Sequence, residues 1–396
     1  MVVFVRRLFP VALLALGLAI FGCETREAAP PARLRPPRLD LRKEIQELVT
    51  AGIPLLVSED TVGSGAAWTH TVELYDRRHH DPVWIAQGQL GPRATELLEA
   101  IDRAPEVGLD PRDYQAGPLQ QLLDFERRTD STALAFRPRM QARFDVRATY
   151  ALMRLAGDLR HGRLPGDTLD ADWIHRGEGE FWKGFLDRVG HDDPRAMLAA
   201  LEPTDSGYVR LKAALARYRA AAATGGWRAI PSGPPIGRGA RGSRVALLVR
   251  RLGATGDLPV ALSDTVMNAD LEKAVGEFQN RNGIPRSGVV GEATRAALNV
   301  PVAERIRALE LNLERWRWLP PDLGARRVVV NIPAFRVDLV RDGHVERSMR
   351  VVVGKKLSPT PVFSTVLRYV ELNPTWTLPP SVLFKEVIPV LKREPD

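Results

Sequence analysis

Apolar residues recur three and four positions apart through most of this 396-residue chain, then alternate one by one near its C-terminal end. Leu41 to Ala51 has the helical spacing. Gly91-Pro92 opens a stretch in which Leu97, Leu98 and Ile101 share a face, and Gly108 with Pro111 closes it. Phe144 to Leu159 continues the pattern with Tyr150, Met153, Leu155 and Leu159. Tyr208 to Ala223 predicts another long helix, with Leu211, Leu215 and Tyr218 as its buried stripe. Only His70 to Ile85 breaks the series, where aromatics and valine predict a strand or two.

Thr224 to Gly242 interrupts the helices with Gly225-Gly226, Pro231, Pro234-Pro235 and further glycines, and reads as an interdomain linker. A compact pattern follows. Ser243 is the expected N-cap of a helix over Val245 to Leu252; Leu271, Val275 and Phe278 mark a second helix ending at Gly283; Gly291 leads into a third over Thr294 to Leu298. Gly283 suits a left-handed helix end, and Gly288 and Gly291 suit tight turns. Arg305 to Leu319 predicts one more helix, with Ile306, Leu309, Leu313 and Trp316 on one side. The alternation begins at Val328 to Ile332. Phe335, Val337 and Leu339 alternate with Arg336 and Asp338, Asp342-Gly343 is a type I′ hairpin signal, and Ser348 to Val353 is the expected partner strand. An all-β region therefore starts near Arg326. Val382 to Leu391 predicts a helix.

The N-terminus has a different character. Arg6 and Arg7, the apolar run Val11 to Phe21 and the closing Gly22-Cys23 form a three-zone leader, too short to span a bilayer stably at about 20 residues. Ile20-Phe21-Gly22-Cys23 resembles a bacterial lipoprotein processing site, which implies a lipid on Cys23 and an exported chain held at the periplasmic face of a membrane. Glu24 to Pro37, rich in Pro, Ala and Arg, reads as a tether. Loss of the leader takes the formal charge from +8 to +6. The remaining basic residues are scattered among acids, without the runs or module that nucleic acid requires, so no nucleic-acid partner is expected.

Candidate chemistry is sparse. His79-His80-Asp81 reads as surface residues, because adjacent histidines diverge on either regular element and no second cluster completes a metal set. Asp170, Asp172 and His175 read as residues that cap or flank a turn. No metal or cofactor is expected. Cys23 is the only cysteine, which excludes an intrachain disulfide framework.

Two resemblances give the pattern a function. Phe278 to Asn299, FQNRNGIPRSGVVGEATRAALN, resembles the small three-helix peptidoglycan-binding domain. RRVVVNIPAFRVDLV, MRVVVGK, TPVFS and YVELNPTWTLPPSV, in this order, resemble the opening of the L,D-transpeptidase catalytic domain. With GLDPRDY and DLRHGRLP earlier, the order is similar to the large periplasmic transpeptidases that carry a scaffold domain. The resemblance implies a multidomain α+β chain: a lipoprotein signal over 1–22, a tether over 23–38, a mainly helical scaffold domain over 39–224, a linker over 225–242 and a peptidoglycan-binding-like domain over 243–302. A connecting helix over 303–325 and the N-terminal part of an all-β catalytic domain over 326–396 complete it.

The family chemistry so implied is attack of a cysteine thiolate on the third residue of a stem peptide, release of D-alanine, and resolution of the thioester by an amine of a neighbouring stem. Stem peptides and glycan are the implied partners, with the membrane through Cys23. Members place the nucleophile on a late stretch resembling S-H-G-C-x-R, after a histidine-glycine segment, and this sequence holds neither. No catalytic residue is therefore assigned, the expected motif lying beyond Asp396. His344 reads as exposed beside the hairpin, and Ser364 and Ser381 lack a neighbouring base. The 70 residues after Arg326 fall short of the roughly 100–150 of a typical domain, so the expectation is a truncated product or partial sequence, inactive as written. The alternatives are a non-catalytic peptidoglycan-binding envelope lipoprotein and, less favoured for want of ligand spacing, a zinc-dependent wall hydrolase.

Overall fold

The computed structural model describes residues 40–52, 61–128, 130–163, 178–258, 266–320, 322–375 and 377–393. Cys23 with its leader and tether, and Asp170, Asp172 and His175, lie outside the described residues. The fold is multidomain α+β, with helices first and a small antiparallel sheet towards the C-terminal end.

The first core gathers around one long helix. Helices α1 (Leu41–Ala51), α2 (Thr61–Arg77), α3 (Pro92–Asp102) and α4 (Ala116–Glu126) precede α5 (Ser131–His161), and α6 (Glu178–Arg188) and α7 (Pro194–Ala199) follow it. Helix α5 packs against α1, α2 and α4. Its residues Tyr150 to Ala156 are buried all round, as expected for a helix at the centre of a core. One buried carboxylate of this core is fully engaged. Asp145 accepts from the Tyr75 hydroxyl at 2.6 Å, from Val83 N at 2.9 Å and from Trp84 N at 2.8 Å. Burial pushes its carboxyl up to about 6, against the pull of those three donors.

The strands expected over His70 to Ile85 are not there. Helix α2 runs through Arg77, burying Ala67, Thr71, Leu74 and Tyr75. These recur at helical spacing, and tertiary burial outweighs the strand preference of the aromatics and valine among them. Only Ile85–Ala86 (β1) is extended, paired with Gln89–Leu90 (β2) across a two-residue turn in which Gln87 and Gly88 both have positive φ. Helix α3 likewise stops at Asp102 rather than reaching Gly108, and a 3₁₀ turn over Ala104–Val107 fills the interval.

The second core is the three-helix unit α9 (Ser243–Ala254), α10 (Ala269–Arg281) and α11 (Glu292–Asn299). Leu248, Leu252, Val275, Phe278 and Leu298 are buried within it. Ser243 is the first helical residue and not the cap, which is Gly242. Gly283 and Gly288 have φ of +67° and +69°, and a Cβ on Gly288 would lie 2.6 Å from Glu272 Cγ. The glycine-rich stretch before α9 has no helix or regular strand, yet it is no free spacer. Ile230 and Ile236 are buried in the second core, and the Arg251 guanidinium lies 3.6 Å from the centre of the Trp227 ring.

Helix α8 (Ser206–Ala223) meets α12 (Val302–Arg317) in a third small core of Tyr208, Leu215 and Leu313, with Leu211, Ile306, Leu309 and Trp316 at its margin. The helix predicted from Arg305 thus begins three residues earlier, immediately after Pro301. Strands β3 (Arg326–Asn331), β4 (Arg336–Arg341) and β5 (His344–Arg350) form one antiparallel sheet in chain order. Asp342 and Gly343 have φ of 48° and 77°, as the hairpin signal requires. The partner strand starts at His344 and not Ser348, because this tight turn pairs Arg341 with His344 at once. Residues 351–375 contain no regular strand, and residues 380–393 are helical.

Leu313 is fully buried where α12 meets α8. Leu313→Ala is expected to cost about 2–5 kcal/mol, read as a lower urea midpoint for the transition that separates the two helices.

Candidate functional site

The residues that sequence reading weighed for catalysis are not brought together. His344 opens β5 and is exposed, Ser364 lies in the strandless segment and is exposed, and Ser381 is exposed in the terminal helical stretch. None of the three makes a side-chain hydrogen bond or ion pair among the described residues. His79 and His80 sit in left-handed backbone conformations just after α2, so neither occupies a regular element. His80 Nε2 lies 3.8 Å from Asp76 Oδ1, and Asp81 pairs with Arg42. Among the described residues no group of three or more His, Cys, Asp or Glu side chains is placed to hold a metal ion.

The structure instead unites three segments that the sequence keeps far apart: Gly108 to Tyr114, Asp158 to Arg163, and Glu314 to Trp318. Asp110 accepts from Arg112 N at 2.9 Å and so starts the 3₁₀ turn Pro111–Tyr114. That turn carries Tyr114 inward, where its hydroxyl donates to Asp158 Oδ2 at 2.8 Å. Asp158 belongs to the last turn of α5, which Gly162 closes with φ +78°. A Cβ on Gly162 would stand 2.6 Å from both Glu314 Oε1 and Trp318 Nε1, so glycine is needed there for contact as well as for conformation.

Glu314 is the acceptor on which the segments meet. Its carboxylate accepts from Arg163 N, from Trp318 Nε1 at 3.1 Å and from Arg317 Nη1 at 3.2 Å. Arg317 is 1% exposed and donates its other terminal nitrogen to the Val107 carbonyl. Arg163 also pairs with Asp113 at 3.0 Å. Two further contacts extend the junction along α12. Arg219 donates to Glu310 at 2.7 Å and to the Pro105 carbonyl. A Cβ on Gly207 would meet the Trp316 ring at 2.3 Å, so α8 can approach only as glycine. Arg327, at the start of the sheet, pairs with Asp205, the N-cap of α8.

Charge inside this junction is finely held. Burial pushes the Asp158 carboxyl up to about 6 and outweighs the lowering by the Tyr114 hydroxyl and by Arg154 and Arg163, while Glu314 adds to the rise. Burial also raises the Tyr114 hydroxyl well above its usual value, reinforced by the Asp158 charge. The arrangement binds elements to one another and contains no activated nucleophile. In the sequence the first two segments stand out only as marks of resemblance, and the third only as part of a predicted helix. That Asp158, Gly162 and Glu314 would touch was not visible, because the contacts join residues some 150 positions apart in the chain.

Comparison with known proteins gives three matches in order along the chain. Residues 69–215 match the family model described as "Scaffold domain", residues 241–298 that described as "Putative peptidoglycan binding domain", and residues 325–396 that described as "L,D-transpeptidase catalytic domain". One curated relative, a "Putative L,D-transpeptidase" of Haemophilus influenzae, is 32% identical over 88 residues. That alignment covers 22% of this chain and 18% of the relative. Two of the three junction segments fall inside the scaffold match, and the third lies between the matches to the other two domains.

The raised Asp158 value makes a signed prediction. Its neutral form is favoured in the folded state, so its contribution is largest below the ordinary 3.8 and is lost as pH rises through about 6. Asp158→Asn keeps an acceptor for Tyr114 but cannot titrate. The melting temperature of the wild type relative to Asp158→Asn should fall between pH 4 and pH 7, by an amount corresponding to roughly 2–3 kcal/mol. A difference that is flat or rises over that interval would contradict the assignment.

Proposed function

Because the chain carries these three domains in order and so belongs to the scaffold-containing L,D-transpeptidases, we propose that it serves peptidoglycan cross-linking at the bacterial envelope. In this reading 39–224 is a positioning scaffold, 243–302 docks on the wall polymer, and the strands from Arg326 open the domain in which a cysteine transfers an acyl group between stem peptides. The observation that carries it is the ordered run of domain matches, joined by a shared buried junction.

The 396 residues by themselves do not supply the nucleophile in this proposal. Cys23 is the only cysteine in the sequence, and it sits at the end of a leader where acylation would tie it to a membrane. Among the described residues Ser364 and Ser381 make no side-chain hydrogen bond, and a hydroxyl without a base beside it is a weak nucleophile. Thioester chemistry also needs a thiol of lowered pKa and donors for the oxyanion, and His344 makes no contact from which a proton relay could start. A lipid on Cys23 would place the protein on the periplasmic face of a membrane, with the basic, proline-rich stretch behind it as a tether.

A second reading is a wall-binding lipoprotein without catalysis of its own. It is favoured by the contrast between the second core, whose apolar residues are fully buried, and the sheet, where Val328, Val330, Val345 and Met349 are each more than half exposed.

Two measurements separate these statements. The purified chain should co-sediment with isolated murein sacculi, and loss of retention would remove the docking claim. Incubation with a carbapenem followed by intact mass should show no added acyl group; an adduct would sink the proposal that these residues lack a working nucleophile. In cells, Cys23→Ala should abolish incorporation of labelled fatty acid and release the protein from membranes.

A further inference from the structure

Between the second and third cores lies a cavity of about 540 Å³, within the range of small-ligand clefts at roughly 300–1,000 Å³. Four elements wall it: helix α8, the turn after α9, the end of α10 and the middle of α12. The cavity is thus a product of the assembled chain, since no single domain match contains all of its lining.

Its chemistry is cationic and amide-rich. Arg217, Arg281 and Arg305 face it, against a single carboxylate, Asp257. Asp257 is already engaged by Arg281 at 2.6 Å and by the Thr255 hydroxyl at 2.6 Å. Arg305 donates to the Ala297 carbonyl at 2.8 Å and to Asn282 Oδ1 at 3.2 Å, and its buried Nε is left without an acceptor. Arg217 is exposed on α8 and has no hydrogen bond or ion pair among the described residues. Asn312, two helical turns along α12 from Arg305, spends its amide N–H on the Ala308 carbonyl, and among the described residues its side-chain oxygen has no donor. The exposed Arg217 guanidinium thus has donors to spare beside a concave surface, and a guanidinium fork is the protein group best matched to a carboxylate.

We propose that this cleft binds a short acidic peptide through its free carboxylates, and that the peptide is a stem of peptidoglycan held at the junction of scaffold, docking module and α12. The inference rests on the peptidoglycan reading above and adds a place and a chemical class to it. Arg217 takes one carboxylate from the open side. Arg281 and Arg305 add positive charge along the wall, and the Asn312 oxygen accepts from a peptide N–H. A stem peptide bound here touches the scaffold and the docking module at once, so wall contact is read by the pair and not by the three-helix unit alone.

The test is titration of the full chain with a soluble tetrapeptide stem cut from murein, followed by calorimetry, alongside sacculus co-sedimentation. Arg217→Glu changes an exposed residue with no partner, so it should fold as the wild type does. It should weaken stem binding at least tenfold. Arg217→Lys should recover part of the loss, and a stem with its carboxylates amidated should bind at least tenfold more weakly to the wild type. Equal binding by wild type and Arg217→Glu, or equal binding of the amidated stem, overturns the cleft assignment while sacculus retention leaves the wider reading standing. Absence of both stem binding and sacculus retention in the wild type overturns both.

Discussion

The arrangement depends on one buried ion pair. Glu314 and Arg317 sit one helical turn apart on α12, and both are withdrawn from water. Taking charges out of water costs several kcal/mol per ion unless each is fully engaged, and breaking such a pair typically costs about 3–5 kcal/mol. Here the engagement is supplied by other parts of the chain: the Val107 carbonyl for Arg317, and the Arg163 amide with the Trp318 indole for Glu314. The pair is therefore stable only when the loop before Tyr114 and the end of α5 are both seated on α12. A local i,i+3 contact has become a condition on the tertiary fold.

That condition makes α12 the strut of the molecule. Pro301 alone separates the strut's first residue from the end of the three-helix unit's Val300 C-cap, and its last turn leads to the sheet within a few residues. Along its length it is fixed to the scaffold three times, by Glu310 with Arg219, by Trp316 against Gly207, and by the Glu314–Arg317 cluster. Arg327 then ties the start of β3 back to the α8 cap. The three-helix unit and the sheet take their positions from the same helix, and that is why a cleft walled by α8, α10 and α12 can exist at all.

Much of this order was legible from the sequence, and the failures have physical causes. The helices of the second core were readable because Gly283 and Gly288 fix their ends through backbone conformation, which is a local property. The β3–β5 hairpins were readable because alternation and Asp342-Gly343 are local too. Residues His70 to Tyr75 misled because aromatics and valine weigh towards a strand, whereas burial of Ala67, Thr71, Leu74 and Tyr75 against α5 decides for a helix. Helix starts at Asp40, Asp130, Asp193 and Asp205 carried capping signals, each aspartate accepting from an amide two or three residues on. The junction itself was not legible, since nothing local in Glu314 or Gly162 records which distant group will face it.

The sheet follows a different logic from the helical parts. Of its residues only Asp338 and Val340 are buried, and valines on β3 and β5 stand in solvent. An antiparallel sheet normally covers one face against a core, and the three helical cores are each closed without drawing on these strands. The sheet is thus held at its first strand by Arg327 and by the short path from α12, and not by apolar packing against the scaffold. Among the described residues its orientation is set by covalent connection and the Arg327–Asp205 pair, while Val328, Val330 and Val345 stay exposed. The sheet takes its place relative to the three-helix unit from α12, so the buried pair at Glu314 and Arg317 positions both without belonging to either.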